Sequence, residues 1–293
     1  MLKKIKGDKL IRTFLLCNSF TSMLIVLLIF TFLFKEALPF VWETGFGALL
    51  NSDWVPVSFQ KESYGIFPLI TGSLIVTILA LIISVPFGIV GAVYISEVAS
   101  AREREILKPF IEILAGIPSV VLGFFGLIVL APLIKDVFQL NSGLTALTGA
   151  VLLALMAIPT IISVSEDAIK SVPESYKEAS LALGASRITT IWKVTVPAAI
   201  SGIVAAVMLG TGRVIGETMA VMMVTGNAIA LTFNPFTSVR TLTATIAAEM
   251  GEVTFGSPHY RALFWIGIIL LTATFALNMV SYKILKKYGI YEN

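Results

Sequence analysis

The chain has 293 residues, of which 57% are hydrophobic and only 13% are charged, and its formal net charge is +3. This composition and a mean hydropathy of +0.92 exclude an ordinary soluble globular domain and indicate a membrane protein. The basic residues stand at the ends of apolar runs rather than in one patch, so we expect no nucleic-acid partner. The single cysteine, Cys17, excludes an intrachain disulfide and a thiolate metal cluster.

Six apolar runs are long enough to cross a hydrocarbon core about 30 Å thick. They lie at approximately 14–34, 66–95, 109–134, 144–164, 198–226 and 262–282. No small-residue cleavage site follows the first run, which we therefore predict to be a retained helix rather than a signal peptide. The predicted fold class is an all-α polytopic membrane protein, with six transmembrane helices in a single domain, 1–293.

The basic residues are distributed unevenly between the two sides of these runs. Fifteen Lys and Arg residues fall in the termini and alternate connections, and five fall in the remaining connections. The positive-inside rule then places both termini and the segment 165–197 in the cytoplasm, and the loops 35–65 and 227–261 outside the cytoplasmic membrane. Trp54, in the first outward loop, is interpreted either as part of a folded partner surface or as an anchor at the membrane interface.

The run 198–226 carries two charged residues, Arg213 near its middle and Glu217 one helical turn later. An Arg at midplane depth costs roughly 3 kcal/mol on insertion scales, so it should face protein or a wet cavity. The i, i+4 spacing predicts that Glu217 lies on the same helix face, within reach. The pair is interpreted as part of a substrate pathway or as a packing ion pair. Thr211 and Thr218 offer hydroxyl donors, although Thr is also ordinary in packed membrane helices.

Several helices are predicted to be irregular, because Pro86, Pro118 and Pro159 each interrupt an apolar run. The glycines that permit close helix contact or bending are Gly116, Gly123, Gly126 and Gly149. The strings AGIPSVV at 115–121 and MAIPTII at 156–162 are similar, but strings this short match easily by chance. His259, the only histidine, has no second ligand of its type nearby, so no metal site is predicted.

The polar segment 165–197 contains a Glu-Ala-Ser string followed at fixed spacing by a glycine and a terminal Val-x-Val-Pro. These residues are Glu178, Ala179, Ser180, Gly184, Val194, Val196 and Pro197. The pattern resembles the EAA loop of ABC importer permeases, with Ser in place of the second Ala and Val in place of Ile and Leu. A short helix that ends in a glycine turn would insert its small-residue face into a groove of another protein, and Pro197 would then start a spanning helix.

Four further strings are similar to the PstC-type permeases of bacterial high-affinity phosphate importers: SDWVP at 52–56, LAGIPSVVLGFFGL at 114–127, MAIPTIISVSEDAI at 156–169 and GRVIGETMAV at 212–221. The resemblance implies a type I ABC importer permease fold. It also implies that phosphate passes Arg213 and Glu217, with Gly216 and Thr218 completing their motif. The implied partners are a PstA-type second permease, two copies of a PstB-type cytoplasmic ATPase and an external PstS-type phosphate-binding protein.

Other functions are weighed against this one. The chain lacks the G-x-x-x-x-G-K-[ST] phosphate cradle, so an importer subunit would be non-catalytic, bind no cofactor itself and depend on ATP and Mg in the partner ATPase. A PstA-type subunit and a permease for another oxyanion remain open. An ion-coupled secondary transporter is expected to place carboxylates in several helices, whereas Glu217 is the only central one. An intramembrane enzyme would lack a convergent acid/base set.

Overall fold

The computed structural model describes residues 2–45, 51–58 and 62–287 of the chain. Parts of the predicted outward loop 35–65, namely 46–50 and 59–61, and the terminal residues 288–293 lie outside the described residues. The helices, in chain order, are α1 (Leu2–Thr44), α2 (Phe67–Val93), α3 (Ala101–Gly116), α4 (Ser119–Phe125), α5 (Ala131–Val137), α6 (Ala146–Lys170), α7 (Glu174–Ala182), α8 (Arg187–Thr190), α9 (Val196–Ala198), α10 (Ile200–Gly216), α11 (Met219–Val224), α12 (Leu242–Glu249) and α13 (Pro258–Lys287). Three π-helical turns, Tyr94–Val98, Gly126–Leu130 and Ile191–Thr195, continue α2, α4 and α8. The strands β1 (Trp54–Val55) and β2 (Ser63–Tyr64) form a short antiparallel ribbon.

The predicted all-α class is confirmed by this helix order. Among the described residues, five helical stretches are long and apolar enough to cross a membrane: Ile11–Thr44, Phe67–Val98, Ser119–Val137, Ala146–Lys170 and Pro258–Val280. A sixth candidate is the pair Arg187–Ala198 and Ile200–Gly216, which is bent by 70°. The first and last helices, α1 and α13, extend beyond the predicted runs, so the intervening loops are shorter than the sequence suggests.

The core is organised around α6, which packs against both α2 and α10. Ile161 of α6 is fully buried between two glycines of these neighbours. A β-carbon at Gly88 of α2 would lie 2.5 Å from Ile161 Cγ2, and one at Gly210 of α10 would lie 2.7 Å from Ile161 Cγ1. Because neither glycine has a side chain, both helices can approach α6 closely.

Of the four glycines predicted to permit close helix contact or bending, three make close contacts. At Gly123, Gly126 and Gly149, a β-carbon would lie within 2.8 Å of an atom from a neighbouring element. Gly116 has no such neighbour within 4 Å, and it ends α3 instead.

Two predicted spanning runs are not single helices. The run 109–134 is broken at Ile117 and Pro118, whose ψ angles of 130° and 137° take the chain out of α3. Pro118 has no backbone N–H, and a residue that precedes a proline is disfavoured in the helical conformation, so the helix ends here. The run 198–226 is broken at Glu217, whose φ of −70° and ψ of 130° end α10 before α11 begins.

The predicted prolines differ in their effects. Helices α2 and α6 continue through Pro86 and Pro159, so neither residue ends its helix. Neighbouring helices make such internal prolines tolerable in membrane proteins. Pro197 does not start a spanning helix: it lies in the one-turn helix α9, and α10 begins at Ile200 beyond the 70° bend.

The ribbon is held to the rest of the protein by a partly buried carboxylate, Glu249, at the end of α12. Trp54 is only 2% exposed and donates its indole N–H to Glu249 Oε2 at 3.1 Å. Glu249 also contacts Arg240 Nη1 at 2.5 Å and His259 Nε2 at 2.8 Å. The interpretation of Trp54 as an interfacial anchor is wrong, because its ring lies inside the protein. Among the described residues, no group of three or more His, Cys, Asp and Glu side chains is arranged to hold a metal ion.

Glu249→Gln should destabilise the protein, because it leaves Arg240 without a carboxylate in a site where both side chains keep less than a fifth of their surface exposed (17% and 16%). Removing one member of a buried pair costs about 3 kcal/mol or more. We expect a clearly lower melting temperature for the purified protein in detergent. The matched control is Glu252→Gln, which changes an exposed carboxylate two residues past Met250 and should melt like the wild type. Equal melting of Glu249→Gln and Glu252→Gln would contradict the role given to Glu249.

Candidate functional site

Arg213 lies in the last turn of α10 and is partly buried. Its guanidinium reaches two other helices. Nη1 donates to the Thr160 hydroxyl of α6 at 3.2 Å, and Nη2 donates to the Ala115 carbonyl near the end of α3 at 3.3 Å. Arg213 therefore joins three helices at the point where two of them end.

The Ala115 carbonyl is a natural partner for a cation. The chain becomes extended at Ile117 and Pro118, so the helical ladder of hydrogen bonds stops and the last carbonyls of α3 need other donors. The C-terminal end of a helix also carries a partial negative charge, which favours a nearby guanidinium. Arg213 thus satisfies a backbone group that the break at Pro118 sets free.

The predicted ion pair between Arg213 and Glu217 is not formed. No carboxylate among the described side chains lies within 4.0 Å of the Arg213 guanidinium nitrogens, and both of its hydrogen-bond acceptors are neutral. The i, i+4 rule requires one helix through both residues, but α10 ends at Gly216. The Arg213 charge is therefore held in place without being neutralised by a carboxylate.

Glu217 instead accepts hydrogen bonds from the first residues of the helix that follows it. Its Oε1 accepts the backbone N–H groups of Thr218 and Ala220, each at 3.1 Å, at the start of α11. Its own carbonyl accepts the Thr243 hydroxyl at 3.0 Å. A carboxylate is favourable at a helix N-terminus, where the first N–H groups lack intrahelical partners.

A small cavity adjoins Glu217 but does not reach Arg213. Its volume is about 20 Å³, enough for a single water. The polar residues that line it are Ser73, Thr77, Glu217, Thr241 and Thr243. The structure therefore puts the two charged residues of the predicted pathway in separate surroundings.

The two predicted threonine donors do not contact Arg213. Thr211 is buried and donates its hydroxyl hydrogen to the Val207 carbonyl of its own helix at 2.8 Å. Thr218 donates to the Gly216 carbonyl at 3.2 Å. The hydroxyl that does contact Arg213, on Thr160, was not predicted. A signal was present, since Ala115 and Thr160 each belong to one of the two similar strings, 115–121 and 156–162.

The segment predicted to contact an ATPase forms two short helices separated by a turn. Helix α7 ends at Ala182, and Gly184 follows with a φ of +83°, a left-handed conformation that favours glycine. The N–H of Gly184 donates to the Leu181 carbonyl at 2.9 Å, and the N–H of Ala185 donates to the Ser180 carbonyl at 3.2 Å. The predicted helix with a glycine turn at its end is therefore present.

The two faces of this segment differ. Glu178, Ala179 and Gly184 are exposed, and the neighbouring Leu183 keeps 89% of its surface exposed. Ser180 faces inward, and its hydroxyl lies 2.9 Å from the hydroxyl of Thr190. Pro197 is exposed in α9, just before the bend. The outer face has the exposed apolar and small residues that a docking partner would cover.

Comparison with known proteins identifies the family of this chain. Residues 84–287 match the family described as binding-protein-dependent transport system inner membrane component. A probable ABC transporter permease protein of Bacillus subtilis, YqgH, is 44% identical over 227 residues, which cover 78% of this chain and 73% of the relative. A phosphate transport system permease protein of Pasteurella multocida, PstC, is 35% identical over 256 residues, which cover 81% of this chain and 78% of the relative.

The fold is also that of solved importer permeases. A chain of a bacterial alginate ABC transporter, solved with an alginate-bound periplasmic protein, aligns with a TM-score of 0.65 at 17% identity over 98% of each chain. At this identity the likeness concerns the fold alone. Together with the family match, it means that the chain belongs to the binding-protein-dependent transport system inner membrane components and is a non-catalytic, multi-pass inner membrane permease subunit of an ABC importer.

Proposed function

We propose that this permease subunit translocates inorganic phosphate, with Arg213 on the substrate pathway. The complex would contain a PstA-type second permease, two copies of a PstB-type ATPase that uses ATP and Mg, and a PstS-type phosphate-binding protein outside the membrane. Both termini and the segment 165–197 would face the cytoplasm. Glu217 and Thr218 would shape the pathway through the break that follows α10, and Thr211 would support it from within the packed helix.

The observation that carries this proposal is the charge of Arg213. Its guanidinium lies at the junction of α3, α6 and α10, and a hydroxyl and a carbonyl are its only hydrogen-bond acceptors among the described residues. A cation in an apolar setting without a carboxylate partner attracts an anion strongly. The planar guanidinium can bind two oxygens of a tetrahedral oxyanion at once, which suits phosphate.

Phosphate is favoured over other oxyanions by the names of the relatives. Proteins named PstC from several bacteria are 32–35% identical to this chain, and a probable PstC of Methanocaldococcus jannaschii is 29% identical over 98% of this chain. The name of the Bacillus subtilis relative states no substrate, so a permease for another oxyanion remains the alternative. The PstA-type assignment is the other alternative, and it would exchange only the roles of the two permeases.

The outer face of α7 and its glycine turn support ATPase contact at this segment. Leu183 is 89% exposed beside the left-handed Gly184, and no described side chain forms an ion pair with Glu178. An exposed leucine and an exposed carboxylate on the same short segment offer an apolar anchor and a charge for a basic partner. The proposed contact comprises Glu178, Ala179, Gly184 and Pro197, with Ser180 holding α7 from its inner face through Thr190.

Arg213→Gln should abolish most phosphate uptake while the complex still assembles. Hydrogen bonds to a charged group contribute about 1.5–3 kcal/mol, so we expect uptake to fall about tenfold or more. The measurement is ATP-driven uptake of labelled phosphate by the whole complex in proteoliposomes, with hydrolysis followed in parallel. Arg102→Gln removes an exposed arginine and serves as the matched control. Wild-type uptake by Arg213→Gln would remove Arg213 from the pathway.

Leu183→Asp should weaken binding of the ATPase without unfolding the permease, because Leu183 contributes almost no buried surface to this chain. We expect the variant to be purified with much less ATPase than the wild type. Val57→Asp is the matched control, since Val57 is 79% exposed and lies on the side predicted to face outward. If both variants retain the same amount of ATPase, the segment is not the docking surface.

A further inference from the structure

The π-helical turn Tyr94–Val98, which continues α2, gathers basic residues from three later helices. Three consecutive carbonyls, those of Ile95, Ser96 and Glu97, accept hydrogen bonds from arginine side chains. Arg104 of α3 binds the first two at 2.9 and 2.8 Å, and Arg187 of α8 binds the third. Arginines are favourable here, because the end of a helix leaves its last carbonyls unpaired and carries partial negative charge.

The Glu97 side chain adds a fourth connection, to the helix predicted to contact the ATPase. Lys177 Nζ of α7 lies 2.8 Å from Glu97 Oε1, and the two side chains keep only 16% and 10% of their surface exposed. Burial alone would lower the pKa of Lys177, but the hydrogen bonds and charges of Glu97 and Glu174 outweigh it and hold this pKa above its ordinary value. The contact is an ion pair that is mostly shielded from water.

Helix α7 has few other attachments to the permease. None of its residues is buried, so it lacks the apolar anchor that usually fixes a helix. Its inward contacts are the Lys177 ion pair and the Ser180–Thr190 hydroxyl pair, and Thr190 belongs to the same cytoplasmic-side segment, 165–197, as α7. Among the described contacts of α7, the ion pair is thus the one that ties it directly to the end of α2.

The turn Tyr94–Val98 is also connected to Arg213, through α3. Arg104, in the first turn of α3, is bound to the end of α2, and Ala115, in its last turn, accepts from Arg213. The start of α3 is fixed by a capping box between Ser100 and Glu103. The whole of α3 has sixteen residues, and the eleven-residue rise from Arg104 to Ala115 is roughly 17 Å. A continuous run of polar contacts and one helix therefore connects α7 to the Arg213 guanidinium.

We propose that Lys177 and Glu97 are positioning residues that hold α7 against the turn Tyr94–Val98 between α2 and α3. Movement of the ATPase is then passed along α3 to Arg213. This inference rests on the proposed function, because it takes α7 as the ATPase contact and Arg213 as part of the substrate pathway.

Lys108 of α3 is bound to the buried Glu166 of α6 at 3.0 Å, which gives α3 a fixed contact between its two ends.

The test measures phosphate taken up per ATP hydrolysed by the whole complex in proteoliposomes. Lys177→Met keeps the length of the side chain and removes its charge, and we expect the ratio to fall about fivefold or more, the lower range of coupling between distant sites. Lys177→Arg keeps the charge and should stay near the wild type. Glu105→Gln removes an exposed carboxylate of α3 and is the matched control.

Glu97→Gln should lower the ratio as Lys177→Met does, and the double variant should be no worse than either single variant, because both remove the same ion pair. Unchanged ratios in the two single variants, or losses that add in the double variant, would overturn the proposal. So would a smaller yield of complex whose remaining molecules keep the wild-type ratio, since that result would make the pair merely structural.

A second readout does not depend on the identity of the substrate. In the same vesicles, stimulation of ATP hydrolysis by the importer's own binding protein should fall in Lys177→Met by a similar factor. Failure of the wild type to take up phosphate would contradict the proposed function alone, because the stimulation of hydrolysis would still report on Lys177 and Glu97. Wild-type stimulation in Lys177→Met would overturn the inference alone.

Discussion

The structure depends on hydrogen bonds to the backbone N–H and carbonyl groups that are left unpaired where helices break inside this apolar protein. Helix α3 ends before Pro118, and α10 ends before Glu217, so carbonyls and N–H groups at both points lose their helical partners. In an apolar medium each unpaired group costs several kcal/mol. Arg213 supplies a donor to the C-terminal end of α3, and Glu217 supplies an acceptor to the N-terminal end of α11. Each charge is thus matched to the helix end of opposite partial charge.

Much of the fold could be predicted from the sequence, because length and hydropathy determine which segments can span a membrane. The glycine contacts at Gly123, Gly126 and Gly149 and the turn at Gly184 were predictable for similar reasons, since the absence of a side chain has direct steric consequences. The pairing of Arg213 with Glu217 was not predictable, because i, i+4 spacing has meaning only where the helix continues. No proline marks the break at Glu217, and hydropathy alone does not reveal it.

The partners of Arg213 illustrate the same limit. Thr160 and Ala115 are 53 and 98 residues away in sequence, and both belong to apolar strings with no distinctive charge. Only the packing of α3 and α10 beside α6 brings them to the guanidinium. The result is a cation held by neutral oxygens at the junction of three helices. In the function proposed above, an oxyanion would exchange with the hydroxyl and the carbonyl. The contacts of Lys177, Glu97 and Arg104 connect that junction to the segment available to an ATPase.

The most direct test of this account is substrate competition in the wild-type complex. Labelled phosphate uptake would be measured in proteoliposomes that contain both permeases, the ATPase and the binding protein, with and without ATP and with excess unlabelled phosphate or sulfate. The account predicts uptake that requires ATP, is abolished by unlabelled phosphate and is little affected by sulfate. Uptake without ATP would contradict an ATP-driven importer, and equal competition by sulfate would contradict phosphate as its specific substrate.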